Sequence, residues 1–148
     1  MTKRLFLSSV LLVACGGSVS AQDPPAAVSA EIERGVAAYN AQDLKYYEGA
    51  LAPEVVYIAD DGATFVGRER VLGLFGRLFT ATPRRRMVMS DLVAGGKGEV
   101  GWARFKWTIT RGDATRKGVC STVLTRAGDS WQAVLIQNTP DGHGAAAH

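Results

Sequence analysis

Two carboxylates, Asp60 and Asp61, stand together before Gly62, and a general base for proton abstraction would be sought there first. The same Asp-Asp-Gly, set between two β-favouring runs, also spells a tight turn. Both readings of Asp60 stay open. Proton transfer beside a carbonyl needs donors aimed at the developing oxygen charge. A buried tyrosine needs a partner for its hydroxyl, so Tyr39 and Tyr57 are either satisfied core residues or ligand contacts. Asn138 closes the run Trp131-Gln-Ala-Val-Leu-Ile-Gln-Asn138, in which strict alternation sets Trp131, Ala133, Leu135 and Gln137 on one face and Gln132, Val134, Ile136 and Asn138 on the other. A central strand that reaches a pocket or an interface ends in this way. So does a strand whose carboxamides merely cap its end.

Other chemistries are excluded. The histidines are His143 and His148, so no His-based triad can form within residues 1–142. They lack Cys or acidic partners at ligand spacing, and no metal site is expected. No glycine-rich phosphate loop follows a strand and opens a helix, and no cofactor is expected. Cys120 lies inside a strand pattern, Gly118 to Leu124, where a small buried hydrophobe is expected rather than a nucleophile. Arg84-Arg-Arg86 could bind an anion or be solvated residues before an edge strand. Trp107 shares a strand face with Ala103, Phe105 and Ile109 and is expected inward, whereas Trp102 shares its face with Arg104 and Lys106 and is expected outward.

The elements that must position these residues follow from periodicity and breakers. Gln22 to Ser29 reads as a mobile Pro- and Ala-rich spacer, with Ser29 capping a helix through Ile32, Val36 and Tyr39. Asp43 caps a second helix, Leu44 to Leu51, which Pro53 ends. Val55–Ala59 and Ala63–Val66 form a hairpin across Asp60-Asp-Gly62. An amphipathic helix carrying Val71, Leu72, Leu74, Phe75, Leu78 and Phe79 closes at Pro83. Four strands then follow: Arg85–Ala94, a turn at Gly95-Gly-Lys-Gly98, Val100–Thr110, Thr115–Thr125 and Trp131–Thr139. This order predicts an α+β domain with helices on one face of a curved antiparallel sheet.

The chain opens on Met1-Thr-Lys3-Arg4 and an apolar run from Leu5 to Ala14, the pattern of a secretory signal too short to span a bilayer. Val19-Ser-Ala21 suits cleavage before Gln22; Leu12-Val-Ala-Cys15 resembles a lipobox that would anchor the chain through Cys15. Export to a periplasm or the exterior is therefore expected, with membrane attachment only if Cys15 is lipidated. Removing Lys3 and Arg4 with the leader leaves 15 basic against 14 acidic side chains, a net charge of +1. That is no general footprint for nucleic acid. The expected organisation is a leader over 1–21, a lead-in over 22–28, one domain over 29–140 and a frayed tail over 141–148.

Val36-Ala-Ala-Tyr-Asn-Ala-Gln-Asp-Leu44, Ala52-Pro-Glu-Val-Val-Tyr57 and Phe65-Val-Gly-Arg-Glu69 resemble nuclear transport factor 2-like domains. The closing Gly128-Asp-Ser-Trp to Asn138-Thr-Pro140 is similar to the SgcJ/EcaC branch and its SnoaL-like neighbours. The resemblance covers about Ser29 to Pro140. It implies a cone-shaped, cystatin-like fold, a homodimer, and either a binding module or an enzyme such as an isomerase, cyclase or dehydratase. It also implies that the ketosteroid isomerase base falls at Ala59, one step before Asp60, with the oxyanion tyrosine near Gly35 and the oxyanion aspartate at Gly118 or Val119. Neither donor is present, so that chemistry is not expected. The expectations are a cone cavity in which Tyr39, Tyr57, Trp107 and Asn138 hold a small, largely apolar molecule, or a cofactor-independent lyase, isomerase or cyclase with Asp60 as base.

Overall fold

The computed structural model describes residues 23–142. The helices are α1 Pro24–Ala41, α2 Leu44–Ala50 and α3 Arg68–Thr80. The strands are β1 Leu51–Ile58, β2 Thr64–Val66, β3 Arg85–Lys97, β4 Val100–Arg111, β5 Ala114–Ala127 and β6 Ser130–Pro140. One sheet runs in the order β2-β1-β6-β5-β4-β3, with the helices packed on its curved inner face. This is the expected α+β cone. The leader and its processing sites lie outside the described residues, as does the tail from His143 onward.

The sheet is mixed rather than antiparallel throughout. β3 to β6 form the expected meander, but β1 pairs parallel to β6. Alternation reveals which face a strand buries, not the direction in which it docks on a strand distant in sequence. Pro53 does not end α2 but lies within β1, in the Leu51–Val56 interval where the pairing with β6 is irregular. A residue without an N–H is tolerated at such a break in the ladder.

Two further boundaries differ from expectation for physical reasons. α1 begins at Pro24, not after Ser29, so the expected spacer is helical. Prolines fit a first turn, where N–H groups have no intrahelical partner and φ is already set. Ala27 and Val28 then bury against Ala103, Leu124 and Trp131. β3 runs through Gly95 and Gly96 to Lys97, and the turn is Gly98–Glu99. Gly95 is there for close approach: a Cβ would stand 2.3 Å from the Trp102 indole, which lies across the outer face.

The core has three joined parts. Val28 and Trp131 anchor one end, and Phe105, Trp107 and Cys120 lie beneath Ile32 and Val36 of α1. At the other end Tyr47, Val55, Val71 and Phe75 close α2 and α3 over β1. There Tyr47 and Tyr57 both meet Phe75 edge-on, at centroid separations of 4.7 and 5.5 Å. Such pairs add about 0.5–1.5 kcal/mol beyond burial.

Candidate functional site

The site begins where α1 gives way to α2. Gln42 takes a φ of +59° and ends α1; Asp43 then accepts a hydrogen bond from the Tyr46 amide at 3.2 Å and opens α2. The short link puts Tyr39 in the last turns of one helix and Tyr46 and Tyr47 at the start of the next. Asn40 fixes the end of α1 to the edge strand, donating to the Met87 carbonyl at 2.8 Å and accepting from the Met87 amide at 2.7 Å. That covers backbone groups an edge strand would otherwise expose.

β6 supplies the opposite wall, and it does so through a bulge. Val123 pairs with Leu135 but Leu124 pairs with Ala133, so Val134 is an extra residue. Strict alternation would put Trp131 and Ala133 on the face opposite Ile136 and Asn138. The bulge reverses the phase, and Ala133, Ile136 and Asn138 all line one cavity. Their partners Leu124, Thr122 and Cys120 on β5 line it too.

The cavity measures about 120 Å³ and lies between α1, α2 and the inner face of the sheet. Its body is apolar, with Ile32, Val36, Leu51, Phe75, Met87 and Phe105 in the wall. One end carries Glu31 and Tyr46. The Tyr46 hydroxyl donates to Glu31 Oε1, and Arg34 pairs with Glu31 Oε2. Burial, then the hydrogen bond to Glu31, raises the Tyr46 pKa well above the usual phenol range. The Arg34 pKa is raised chiefly by the same carboxylate. Tyr39, Tyr57 and Asn138 mark the other polar part of the wall. Burial raises both tyrosine pKa values, and for Tyr39 the neighbouring Arg85 opposes the rise. These phenols therefore stay protonated and can donate at neutral pH. The Asn138 amide donates to the Ile58 carbonyl at 3.3 Å, which leaves its own carbonyl for another donor. Cys120 is buried, and desolvation pushes its thiol up to about 12, as suits a small hydrophobe rather than a nucleophile.

Tyr39, Tyr57 and Asn138 thus come together as the sequence suggests, while Trp107 and Asp60 do not join them. Trp107 points inward at 2% exposure, but its indole lies over Gly118 beneath the wall and is not part of it. Asp60 lies at the β1–β2 turn, outside the lining, and binds Arg116 at 2.8 Å. The turn reading of Asp-Asp-Gly wins locally: Asp61 accepts from the Ala63 amide at 2.9 Å, and Gly62 has a φ of +86°. Glu31, Tyr46 and Thr122 escape the sequence reading. Glu31 carried a usable signal, since it sits on the apolar α1 stripe that includes Val28, Gly35 and Tyr39.

The model of the SnoaL-like domain matches residues 32–134. The chain belongs to the SnoaL-like domain family. No curated protein matches it. Solved structures show the same fold at low identity. A Caulobacter vibrioides protein with a cystatin-like fold is 14% identical, with a TM-score of 0.72, over 83% of this chain and 93% of that one. A nuclear transport factor 2-like protein from Pseudomonas putida KT2440 is 17% identical, with a TM-score of 0.71, over 78% and 84%. A nuclear transport factor 2-like superfamily protein from Salmonella enterica is 18% identical, with a TM-score of 0.68, over 82% and 94%. In this SnoaL-like domain Gly118, one of the two positions expected for an oxyanion aspartate, is closed. A Cβ on Gly118 would stand 2.4 Å from both the Thr139 carbonyl and the Trp107 ring.

Proposed function

We propose that this SnoaL-like domain binds a small, largely apolar molecule in its cone cavity. The observation that carries the reading is the wall itself: an apolar enclosure with a few polar groups drawn from α1, α2, β1, β5 and β6. Small-molecule sites have this composition, apolar contacts supplying affinity and sparse polar groups fixing orientation. A volume of about 120 Å³ suits a ligand built on roughly one six-membered ring, since apolar cavities of about 150 Å³ take up benzene. Native mass spectrometry of the purified protein tests the reading by seeking a co-purified small molecule. Asn138→Leu is expected to weaken that ligand by about 1–3 kcal/mol, through loss of a buried hydrogen-bond partner, while the melting temperature is retained. Unchanged affinity in that variant would remove Asn138 from the binding site. The competing enzymatic reading, with Asp60 as base, has less support because Asp60 is held by Arg116 outside the wall.

The same reading extends to assembly and location. The outer face of the sheet exposes Val88, Val93 and Trp102, the last at 48%, beside Arg104 and Lys106. A central aromatic within an apolar patch is suited to a symmetric contact between two copies. Sedimentation is expected to show a homodimer at tens of micromolar (roughly where weak dimers form). Trp102→Glu should shift it to monomer by burying a new charge at the contact, and a wild-type monomer there would count against the dimer. Export rests on the basic start and apolar run of the leader.

A further inference from the structure

Beside the cavity wall, on the edge strand β3, stands a cation that forms no ion pair among the described residues. Arg85 and Met87 are two residues apart on β3 and so share its inner face, and Met87 lines the cavity. The Arg85 charge favours ionisation of both Tyr39 and Tyr57, and the Asp60 carboxylate opposes it at both. None of the three ion pairs among the described residues uses Arg85, and the neighbouring carboxylate, Asp60, is already bound by Arg116. Arg85 Nε–H is buried and has no hydrogen-bond partner in the protein. Trp107, on the same face of the sheet, holds a second such donor, its indole N–H. Buried donors are almost always satisfied, and an orphan beside a ligand cavity points to an acceptor carried by the ligand. Guanidinium groups are matched best by carboxylates, whose two oxygens meet the planar fork.

Resting on the reading of the cone as a ligand cavity, we propose that its occupant is a small monocyclic carboxylic acid with its carboxylate on Arg85. The ring occupies the apolar body. The acid enters one way round, because the opposite end already holds the Glu31 carboxylate, paired with Arg34 and Tyr46. A second carboxylate there would find Arg34 and the Tyr46 hydroxyl already taken by Glu31. The cavity thus selects monoacids over diacids as well as over neutral rings of the same size.

Calorimetric titration of the purified protein with benzoate, benzyl alcohol and terephthalate tests this. Benzoate is expected to bind at least about tenfold more tightly than benzyl alcohol, the gain of a charge-assisted hydrogen bond. Terephthalate should bind no better than benzyl alcohol. Arg85→Gln should bring benzoate to the level of benzyl alcohol and leave benzyl alcohol unchanged. Arg86→Gln, which removes an equal charge from the exposed side of β3, should alter neither. If Arg85→Gln does not fold, the wild-type ratio of benzoate to benzyl alcohol decides alone. Benzyl alcohol binding as tightly as benzoate would overturn the acid and leave the apolar cavity standing. Benzoate binding that survives Arg85→Gln, or falls equally in Arg86→Gln, would overturn the role of Arg85. Binding of neither benzoate nor benzyl alcohol would overturn the cavity reading and this one with it.

Discussion

Gly118→Ala is expected to destabilise the fold by about 3 kcal/mol, the upper end of the usual overpacking range. The added methyl would stand 2.4 Å from the Thr139 carbonyl, a backbone atom that cannot rotate away, and 2.4 Å from the Trp107 ring. Trp107 is 2% exposed and packed with Phe105 and Cys120, so it has little room to yield. Gly118→Asp should be worse, setting a buried carboxylate against the Thr139 carbonyl. Urea unfolding of Gly118→Ala against wild type measures the loss. Trp107→Phe in the Gly118→Ala background should recover part of it, since a smaller ring relieves one of the two clashes. A Gly118→Ala protein as stable as wild type would show that β5 and β6 separate easily at this point. The result bears on chemistry, because an oxyanion aspartate at this position is incompatible with the tryptophan that lies over it.

The fold was largely legible because its signals are local. Period-2 runs with glycine turns marked β4, β5 and β6, and Asp43 capped α2 as its spacing indicates. What was not legible depends on partners far along the chain. The parallel docking of β1 on β6 leaves no mark in either strand. Gly95 looked like a turn residue because a glycine that admits the neighbouring Trp102 indole reads the same in sequence as one that admits a positive φ. Pro24 and Pro25 looked like a spacer because their helix is justified only by the buried contacts of Ala27 and Val28.

The site was legible in part. The resemblance to nuclear transport factor 2-like domains implies one pocket for Tyr39, Tyr57 and Asn138, and all three reach the cavity. Asn138 reaches it beside Ala133 only because Val134 bulges, and one inserted residue inverts every later face of the strand. Trp107 was placed correctly by face, but a face does not say whether a ring forms the wall or the layer behind it. Residue type alone gives Glu31 no inward signal, because a glutamate in a helix is usually solvated. Here Tyr46 and Arg34, respectively fifteen and three residues later, supply the hydrogen bonds that let it turn inward.

Those buried phenols also predict a steep alkaline limit to stability. Tyr47 is 8% exposed, donates to the Gly35 carbonyl at 2.7 Å and has a pKa raised far above the usual phenol value, first by burial. Tyr57 and Tyr46 are raised in the same direction, again chiefly by burial. In the unfolded chain each ionises near pH 10. Below that pH both states hold the proton and the stabilising contacts are intact. Above it the unfolded chain has released protons that the folded protein still binds, so stability falls as pH rises. Tyr47 alone withdraws up to about 1.4 kcal/mol per pH unit past 10, and Tyr46 and Tyr57, raised in the same direction, add to the fall. Melting temperatures should hold from pH 7 to about 8 and begin to fall past about 8.5, as the unfolded Cys120 thiol ionises while the buried one, pushed up to about 12, does not. They should drop sharply beyond about pH 10 as the tyrosines join it. Tyrosinate absorbance should rise with unfolding rather than ahead of it. Tyr47→Phe should flatten the alkaline fall while lowering stability at pH 7 by about 1 kcal/mol for the lost hydrogen bond. Full tyrosinate absorbance in a protein that is still folded at pH 11 would show that the cavity wall opens to solvent far more readily than its packing implies.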